Sequence, residues 1–222
     1  MNIKNNIIKQ YLKNCYFING TAYAGKSTMC KMLAEKYDFI LCGENYGQDK
    51  LLQMITPEDQ PNLNYFRTMK SWQEFINRTP EEYFSWVMGT SSETADFEIA
   101  ELIRISGQKK TIVDTNIPLE TLKQIADYNQ VAIMLSPQAL SVDKFFERED
   151  EEKRFLLSQI KQAADPEKTM QNFRNCVAKI NSQEIYDQWL NSGFFTIIRE
   201  NGEKDTRMET MNALAEHFGL CN

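Results

Sequence analysis

Histidine is almost absent from this chain of 222 residues, since His217 is the only one. A catalytic triad built on histidine, or a metal site rich in histidine, is therefore almost excluded. His217 lies in the last predicted helix, and we expect it to be an ordinary residue of the helix surface.

Paired cysteines are missing as well. The five cysteines are scattered, and no two of them form a C-x-x-C pair: Cys15, Cys30, Cys42, Cys176 and Cys221. This pattern argues against a zinc site and against a disulfide framework, and it fits a reduced compartment. We therefore expect a cytoplasmic protein.

Long apolar runs and an excess of basic residues over acidic ones are also lacking. No uninterrupted apolar stretch reaches the length of a transmembrane helix, and we expect no signal-peptide core in the first residues. The formal net charge of −6 argues weakly against binding to nucleic acids or anionic membranes. Hydrophobic residues make up 42% of the chain, enough for the core of a single α/β domain over residues 1–222.

What the sequence does contain is a phosphate-binding loop. The stretch 20–28 matches the pattern G-x-x-x-x-G-K-[ST] and lies between a β-forming run at 15–19 and a helical pattern. All residues of the loop are predicted to contact a nucleotide: Gly20, Thr21, Ala22, Tyr23, Ala24, Gly25, Lys26, Ser27 and Thr28.

Each part of the loop has a predicted role. Gly20 and Gly25 allow a tight turn and a close approach of the backbone to phosphate. The amides of residues 22–27 can form an anion-binding nest at the start of a helix. Lys26 is predicted to reach the β- and γ-phosphates, and the Ser27 hydroxyl to ligate Mg²⁺. The alternative is a glycine turn that binds nothing.

Four further strands are predicted, and helical patterns alternate with them. The apolar runs suit strands that are covered on both faces, as in a parallel sheet. They lie at 38–42, 110–114, 131–135 and 194–198.

Two of the predicted helices have clear beginnings. A capping box at Thr79 begins a helix that runs toward Ile105, with residues 89–92 as a candidate break. Asp165 begins another helix, whose apolar face is predicted to extend as far as Trp189.

Asp114 ends the third predicted strand. Ligands of open parallel sheets bind outside the carboxyl ends of the strands. This carboxylate is therefore a candidate for holding Mg²⁺ through water or for accepting a proton from an attacking hydroxyl. The alternative is an N-cap for the helix that Pro118 begins, although Thr115 and Asn116 are better placed for that role.

A charged stretch at 145–155 follows the fourth strand, and Arg148 and Arg154 lie there among many acidic residues. The guanidinium fork suits the equatorial oxygens of a transferring phosphoryl group, so both arginines are candidate catalytic residues. The alternative is a solvated helix with pairs such as Asp150 and Arg154.

The segment 46–77 is the least regular part of the chain, and it is rich in aromatic residues such as Phe66, Trp72 and Phe75. It lies between the second and third strands, next to the expected substrate cleft. Its aromatic rings either contact a substrate or pack into a satellite core, and both interpretations stay open.

In the order of these parts the chain resembles the P-loop small-molecule kinases, the group of nucleoside monophosphate, shikimate and cytidylate kinases. The matching parts are the loop 20–28, the strand-end Asp114, the segment 148–154, and a fifth strand followed by a closing helix. The resemblance implies a three-layer αβα P-loop NTPase fold. Its sheet would be five-stranded and mainly parallel in the order 2-3-1-4-5, with a helical insertion after strand two.

The resemblance also implies what each region does. Residues from about 44 to 108 would form the helical insertion and bind the phosphate acceptor, and residues from about 137 to 165 would form a mobile lid whose arginines close over the phosphates. Residues 199–202 would lie beside the base. The cofactors would be ATP and Mg²⁺, and the reaction would move the γ-phosphoryl group to a small-molecule acceptor.

The sequence after the third strand leaves the acceptor unidentified. Nucleoside monophosphate kinases often carry Asp-Gly-[Phe/Tyr]-Pro-Arg there, whereas Asp114 is followed by Thr-Asn-Ile-Pro, without the glycine or the arginine. Two alternative functions remain. One is a nucleotide-binding regulatory ATPase or switch without a small-molecule acceptor, and the other is a P-loop domain that binds nucleotide only to stabilise its fold. A GTPase is disfavoured, because no Asn-Lys-x-Asp motif is present.

Overall fold

A parallel β-sheet forms the centre of the protein in the computed structural model, which describes residues 3–107, 109–147, 151–199 and 205–220. The strands are β1 (Cys15–Gly20), β2 (Ile40–Cys42), β3 (Thr111–Asp114), β4 (Val131–Leu135) and β5 (Phe195–Ile198). They lie in the order β2-β3-β1-β4-β5, and every pair is parallel. The predicted α/β class, the five strands and their order are confirmed.

Helices follow or precede every strand. In chain order they are α1 (Asn5–Tyr11), α2 (Lys26–Tyr37), α3 (Gln48–Met54), α4 (Tyr65–Thr68), α5 (Trp72–Ile76), α6 (Pro80–Ile105), α7 (Leu119–Ile125), α8 (Gln138–Asp143), α9 (Glu151–Lys161), α10 (Pro166–Ile180), α11 (Gln183–Leu190) and α12 (Arg207–His217). Helices α3 to α6 all lie between β2 and β3, which are neighbours in the sheet.

Helices cover both faces of the sheet. Successive residues of a strand point to opposite faces, so each strand contributes side chains to the core on both sides. On one face Tyr16 and Ile18 pack with residues of α2 and α12. On the other face Cys15 and Phe17 pack with residues of α6 and α7. The inner strands β1, β3 and β4 are almost wholly buried, whereas β5 at the edge is partly exposed.

A third cluster lies away from the sheet and joins the insertion between β2 and β3 to the chain that follows β4. It includes Phe75 of α5, Tyr83 of α6, Ile160 of α9 and Phe173 of α10. Part of the aromatic segment 46–77 therefore forms a satellite core, as one of the two interpretations of the sequence holds.

Helix α6 runs without interruption from Pro80 to Ile105, so the candidate break at residues 89–92 was wrong. The capping box at its start is confirmed, since Thr79 Oγ1 accepts a hydrogen bond from the amide of Glu82. Gly89 serves packing instead of ending the helix: a Cβ there would lie 2.3 Å from the Asn62 side chain. The missing side chain makes room for the loop before α4.

The predicted apolar face ending at Trp189 was also wrong. Helix α10 ends at Ile180, where the Asn181 side chain donates a hydrogen bond of 2.8 Å to the carbonyl of Val177. Trp189 belongs to α11 and packs against the sheet, whereas Phe173 packs in the third cluster. A turn at residues 181–182 therefore separates α10, which packs in the third cluster, from α11, which packs against the sheet.

His217 is not an ordinary surface residue. Its Nε2 lies 2.9 Å from the carbonyl oxygen of Val131, and its ring stacks on Phe195 with 4.4 Å between centroids. Burial lowers the pKa of the imidazole. His217 therefore ties the last helix to the edge of the sheet, which a helical periodicity alone does not reveal.

The junction of β1 with the following loop requires glycine. Gly20 has φ +125°, and a Cβ there would lie 2.0 Å from the carbonyl oxygen of Met134 in β4. Gly43 has no heavy atom within 4 Å of an added Cβ. We expect Gly20→Ala to lower the free energy of unfolding by about 3 kcal/mol or more, and Gly43→Ala to change it by less than about 0.5 kcal/mol. Urea denaturation measures both, and equal midpoints for the two variants would contradict this packing.

Candidate functional site

The loop 20–28 takes a conformation that depends on left-handed residues. Gly20, Tyr23 and Gly25 have φ values of +125°, +64° and +91°. Gly25 is the N-cap of α2, which begins at Lys26. The loop therefore ends at the positive end of a helix of twelve residues, where an anion is favoured.

The chain that follows β4 holds the loop in place. The amide of Thr21 donates to the carbonyl of Met134 over 3.0 Å. Ser136 donates twice: its amide to Thr21 Oγ1 over 2.8 Å, and its hydroxyl to the carbonyl of Ala22 over 2.6 Å. Sequence reasoning did not find Ser136 as a supporting residue, although it directly precedes the proline that ends β4.

Lys26 lies over the loop from the first turn of α2. Its Nζ donates to the carbonyl oxygens of Gly20 and Thr21, each over 3.1 Å. The ammonium group is thus placed at the concave side of the turn, between the end of β1 and the start of the helix.

Ser27 and Asp114, both predicted as metal-site residues, are brought together. The Ser27 hydroxyl donates to Oδ2 of Asp114 over 2.6 Å. Asp114 is 2% exposed, and Ile18 lies opposite it in the parallel pairing of β1 with β3. Helix α7 has Pro118 at its N-cap position and no side chain bonded there, so the alternative role of Asp114 as an N-cap was wrong.

A buried asparagine supports this arrangement from below. Asn19 is fully buried near the end of β1. Its Nδ2 donates to the carbonyl of Ile117 over 2.8 Å, and its Oδ1 accepts from the amide of Gly20 over 2.7 Å. The side chain therefore links the phosphate loop to the chain that follows Asp114. A polar residue inside an apolar strand was the sequence signal for it.

A cavity of about 750 Å³ opens beside this site, between the insertion and α9. Its wall includes Asn116, two residues beyond Asp114, and Glu98 of α6. It also includes Phe66, Trp72 and Phe75 of the aromatic segment, so contact of these rings with a substrate stays a prediction beside the place of Trp72 and Phe75 in the satellite core. The volume lies within the range of about 300 to 1,000 Å³ typical of small-molecule sites.

Glu98 is a buried carboxyl that sequence reasoning missed. It is 6% exposed, and its Oε2 accepts a hydrogen bond of 2.7 Å from the Thr115 hydroxyl. Thr115 in turn accepts from the amide of Ile117 over 3.0 Å. Burial raises the pKa of Glu98 to about 7, the charge of Asp114 adds to the rise, and the bond from Thr115 opposes it. One isolated glutamate in an amphipathic helix gave no signal of this role.

Of the two predicted catalytic arginines, the structure describes only Arg154. Arg148 lies outside the described residues. Arg154 is exposed on α9, and its neighbours Lys153 and Phe155 line the cavity. A different arginine contacts the loop: Arg199 Nη1 donates to the carbonyl of Tyr23 over 2.8 Å. It begins the stretch expected beside the base, of which residues 200–202 lie outside the described residues.

Three general features of the structure bear on the predictions about membrane segments, metal sites and cysteines. Within the described ranges, no helix has both the length and the apolarity to cross a membrane. In the same ranges, no three His, Cys, Asp or Glu side chains converge as metal ligands. Four cysteines are buried thiols, and burial raises the pKa of Cys15 and Cys176 to about 11.

The buried Glu98 makes the stability of the fold depend on pH. The groups that face it are Asp114 of β3, together with Tyr46 and Cys42, whose pKa values its charge helps to raise. Because the pKa of Glu98 is higher in the folded protein, the folded state binds more protons than the unfolded state between pH 4.5 and about 7. Stability should therefore fall as the pH rises through this window.

We expect Glu98→Gln to remove this penalty. Relative to the wild type, the variant should gain up to about 3 kcal/mol of unfolding free energy between pH 5 and pH 8, since one pKa unit corresponds to about 1.36 kcal/mol. Glu101→Gln is the control, because the bond from Arg104 lowers the pKa of Glu101 to about 2, outside this range. Urea denaturation at both pH values measures the effect. A pH-independent difference for Glu98→Gln would contradict the buried carboxyl described above.

A scan against models of protein families found no match, and a search of curated proteins found none either. The resemblance to P-loop kinases therefore rests on the motif at 20–28 and on the order of the strands.

Proposed function

We propose that the protein has a P-loop NTPase fold and is an ATP-dependent phosphotransferase that moves the γ-phosphoryl group to a small-molecule acceptor. The observation that carries the proposal is the contact of 2.6 Å between Ser27, within the phosphate-loop motif, and the buried Asp114 at the end of β3. A hydroxyl and a carboxylate at this point are the oxygen ligands that Mg²⁺ prefers.

The roles of the residues follow from their places. The loop amides and Lys26 would bind the β- and γ-phosphates, and Ser27 with Asp114 would hold Mg²⁺, directly or through water. When bound, Mg²⁺ neutralises charge on the phosphate oxygens. The acceptor hydroxyl oxygen attacks the γ-phosphorus, and the bond from phosphorus to the β,γ-bridging oxygen breaks. ADP leaves, and the hydroxyl proton passes to a nearby carboxylate and then to water.

The chain after β4 completes the proposal. Helix α9 forms one wall of the cavity, with Lys153 and Phe155 in that wall. A lid over about 137–165 would include α8 and α9. Arg148 and Arg154 remain the candidates for contact with the transferring phosphoryl group, and Arg154 is exposed on α9. Closure of such a lid excludes water from the phosphates.

The cavity favours a kinase over a regulatory switch. A switch without a small-molecule acceptor needs no concave space beside its phosphate loop. Here a cavity of about 750 Å³ reaches Asn116, two residues from the proposed magnesium ligand Asp114.

Nucleotide binding is the first expected outcome. MgATP at a hundred times its dissociation constant should stabilise the fold by about 2.7 kcal/mol, which thermal melting detects. Lys26→Ala should abolish this stabilisation, and it should lower the melting temperature without nucleotide only slightly, through the loss of the bonds from Nζ to the carbonyls of Gly20 and Thr21. Lys31→Ala is the matched control, since Lys31 is exposed on the same helix. A wild-type protein that millimolar MgATP does not stabilise would contradict the proposal.

Asp114 should serve turnover more than folding. Asp114→Asn keeps an acceptor for the Ser27 hydroxyl but removes the charge, so we expect kcat to fall at least about 100-fold with little loss of stability. Asp38→Asn is the control: Asp38 is an exposed carboxylate in a surface ion pair with Lys109. Full turnover by the Asp114→Asn variant would contradict a role of the carboxylate in the reaction, and a large loss of stability would contradict the expectation that it serves turnover more than folding.

A further inference from the structure

The cavity beside the phosphate loop has an aromatic wall that is exposed to it. Phe66 and Phe155 line the cavity and are 42% and 40% exposed. Phe66 lies 5.1 to 5.4 Å, between ring centroids, from Trp72, Phe75 and Trp86, which line the cavity too. Large aromatic side chains exposed together in a concave site indicate a surface that a ligand covers.

The charges in the wall disfavour an anion as the ligand. Among the described lining residues, carboxylates outnumber cations, with Glu98, Glu151 and Glu152 against Arg67 and Lys153.

The two cations are also held by the protein itself. Arg67 donates to the carbonyl of Leu52, and its Nη1 lies 3.5 Å from Asn64 Oδ1. Lys153 Nζ lies 4.2 Å from the centroid of the Phe145 ring. A phosphate or carboxylate in this cavity would therefore meet more negative than positive charge.

One end of the cavity lies next to the proposed site of phosphoryl transfer. Glu98 lines the cavity, its carboxyl accepts a hydrogen bond from Thr115, and Thr115 directly follows Asp114. Asp114 accepts a hydrogen bond from Ser27 of the phosphate loop. A ligand long enough to extend from the aromatic wall to Glu98 would therefore have that end close to the place of the transferring phosphoryl group.

We propose that the acceptor is a hydroxyl compound with a flat, largely apolar ring system and no phosphate or carboxylate group. Its ring binds against Phe66, Trp72 and Trp86, and Glu98 accepts a hydrogen bond from the hydroxyl that is phosphorylated. This rests on the proposed phosphotransferase function, and it makes nucleoside monophosphates and other anionic alcohols poor substrates.

The test uses a deproteinised small-molecule cell extract as the source of acceptors. The extract is separated on an anion exchanger, and each fraction is assayed with the full-length protein and MgATP for acceptor-dependent ADP release. We expect the stimulating compound to pass through the anion exchanger and then to bind a reversed-phase resin. A stimulating compound that the anion exchanger retains, or that the reversed-phase resin does not bind, would overturn the inference.

Variants test the two parts of the proposed acceptor site, Glu98 and the aromatic wall, in assays that use the same active fraction. Glu98→Gln should raise the KM for the acceptor at least tenfold and leave the KM for ATP unchanged, whereas Glu101→Gln, one turn along α6 in a surface ion pair, should change neither. Phe66→Leu, at an exposed position, should also raise only the KM for the acceptor. An unchanged acceptor KM in both Glu98→Gln and Phe66→Leu would place the acceptor elsewhere and overturn the inference.

The same assays distinguish a failure of this inference from a failure of the proposed phosphotransferase function. Stabilisation by MgATP without ADP release in any fraction would contradict the phosphotransferase, and the inference would fail with it. ADP release stimulated only by anionic fractions would support the phosphotransferase and contradict the proposed acceptor class.

Discussion

The conformation of the loop 20–28 depends on how closely the end of β1 approaches β4. At Gly20 an added Cβ would lie 2.0 Å from the carbonyl oxygen of Met134, so the two strands meet at a distance that only glycine allows. The same approach lets the amide of Thr21 bond to Met134 and places the loop against Ser136. The positions of Lys26 and Ser27 depend on this starting point, because both belong to the same loop.

The sheet order converts that local constraint into a site. Since β3 lies beside β1, Asp114 comes level with the end of β1 and meets Ser27. Thr115 then connects this point to Glu98 on α6, and the charge of the buried Asp114 helps to raise the pKa of the buried Glu98. Desolvating both together costs free energy. Buried carboxyls with shifted pKa values are common at functional sites.

Much of the fold could be predicted, because apolar runs, the loop motif and the capping box are local sequence patterns that agree with the observed strands and helices. The strand at 131–135 was placed at its observed bounds, and Ser27, predicted from the loop motif, contacts Asp114, predicted from its place at the end of a strand. Other features depend on distant packing. The sequence alone suggests that Gly89 breaks the helix, whereas the structure shows that it makes room for Asn62. The sequence alone also gives no sign that Glu98 is buried beside Thr115. Nothing in a helical period distinguishes a face that solvent covers from one that lines a cavity.

The most direct test of the central claim is a crystal structure of the protein with Mg²⁺ and a non-hydrolysable ATP analogue. We predict that the triphosphate lies along residues 20–28, that Lys26 turns from the carbonyls of Gly20 and Thr21 to the phosphates, and that Mg²⁺ is bound by Ser27 beside Asp114. A nucleotide bound elsewhere, or a loop in which Lys26 keeps its bonds to both carbonyls, would contradict the claim that this loop is a nucleotide site.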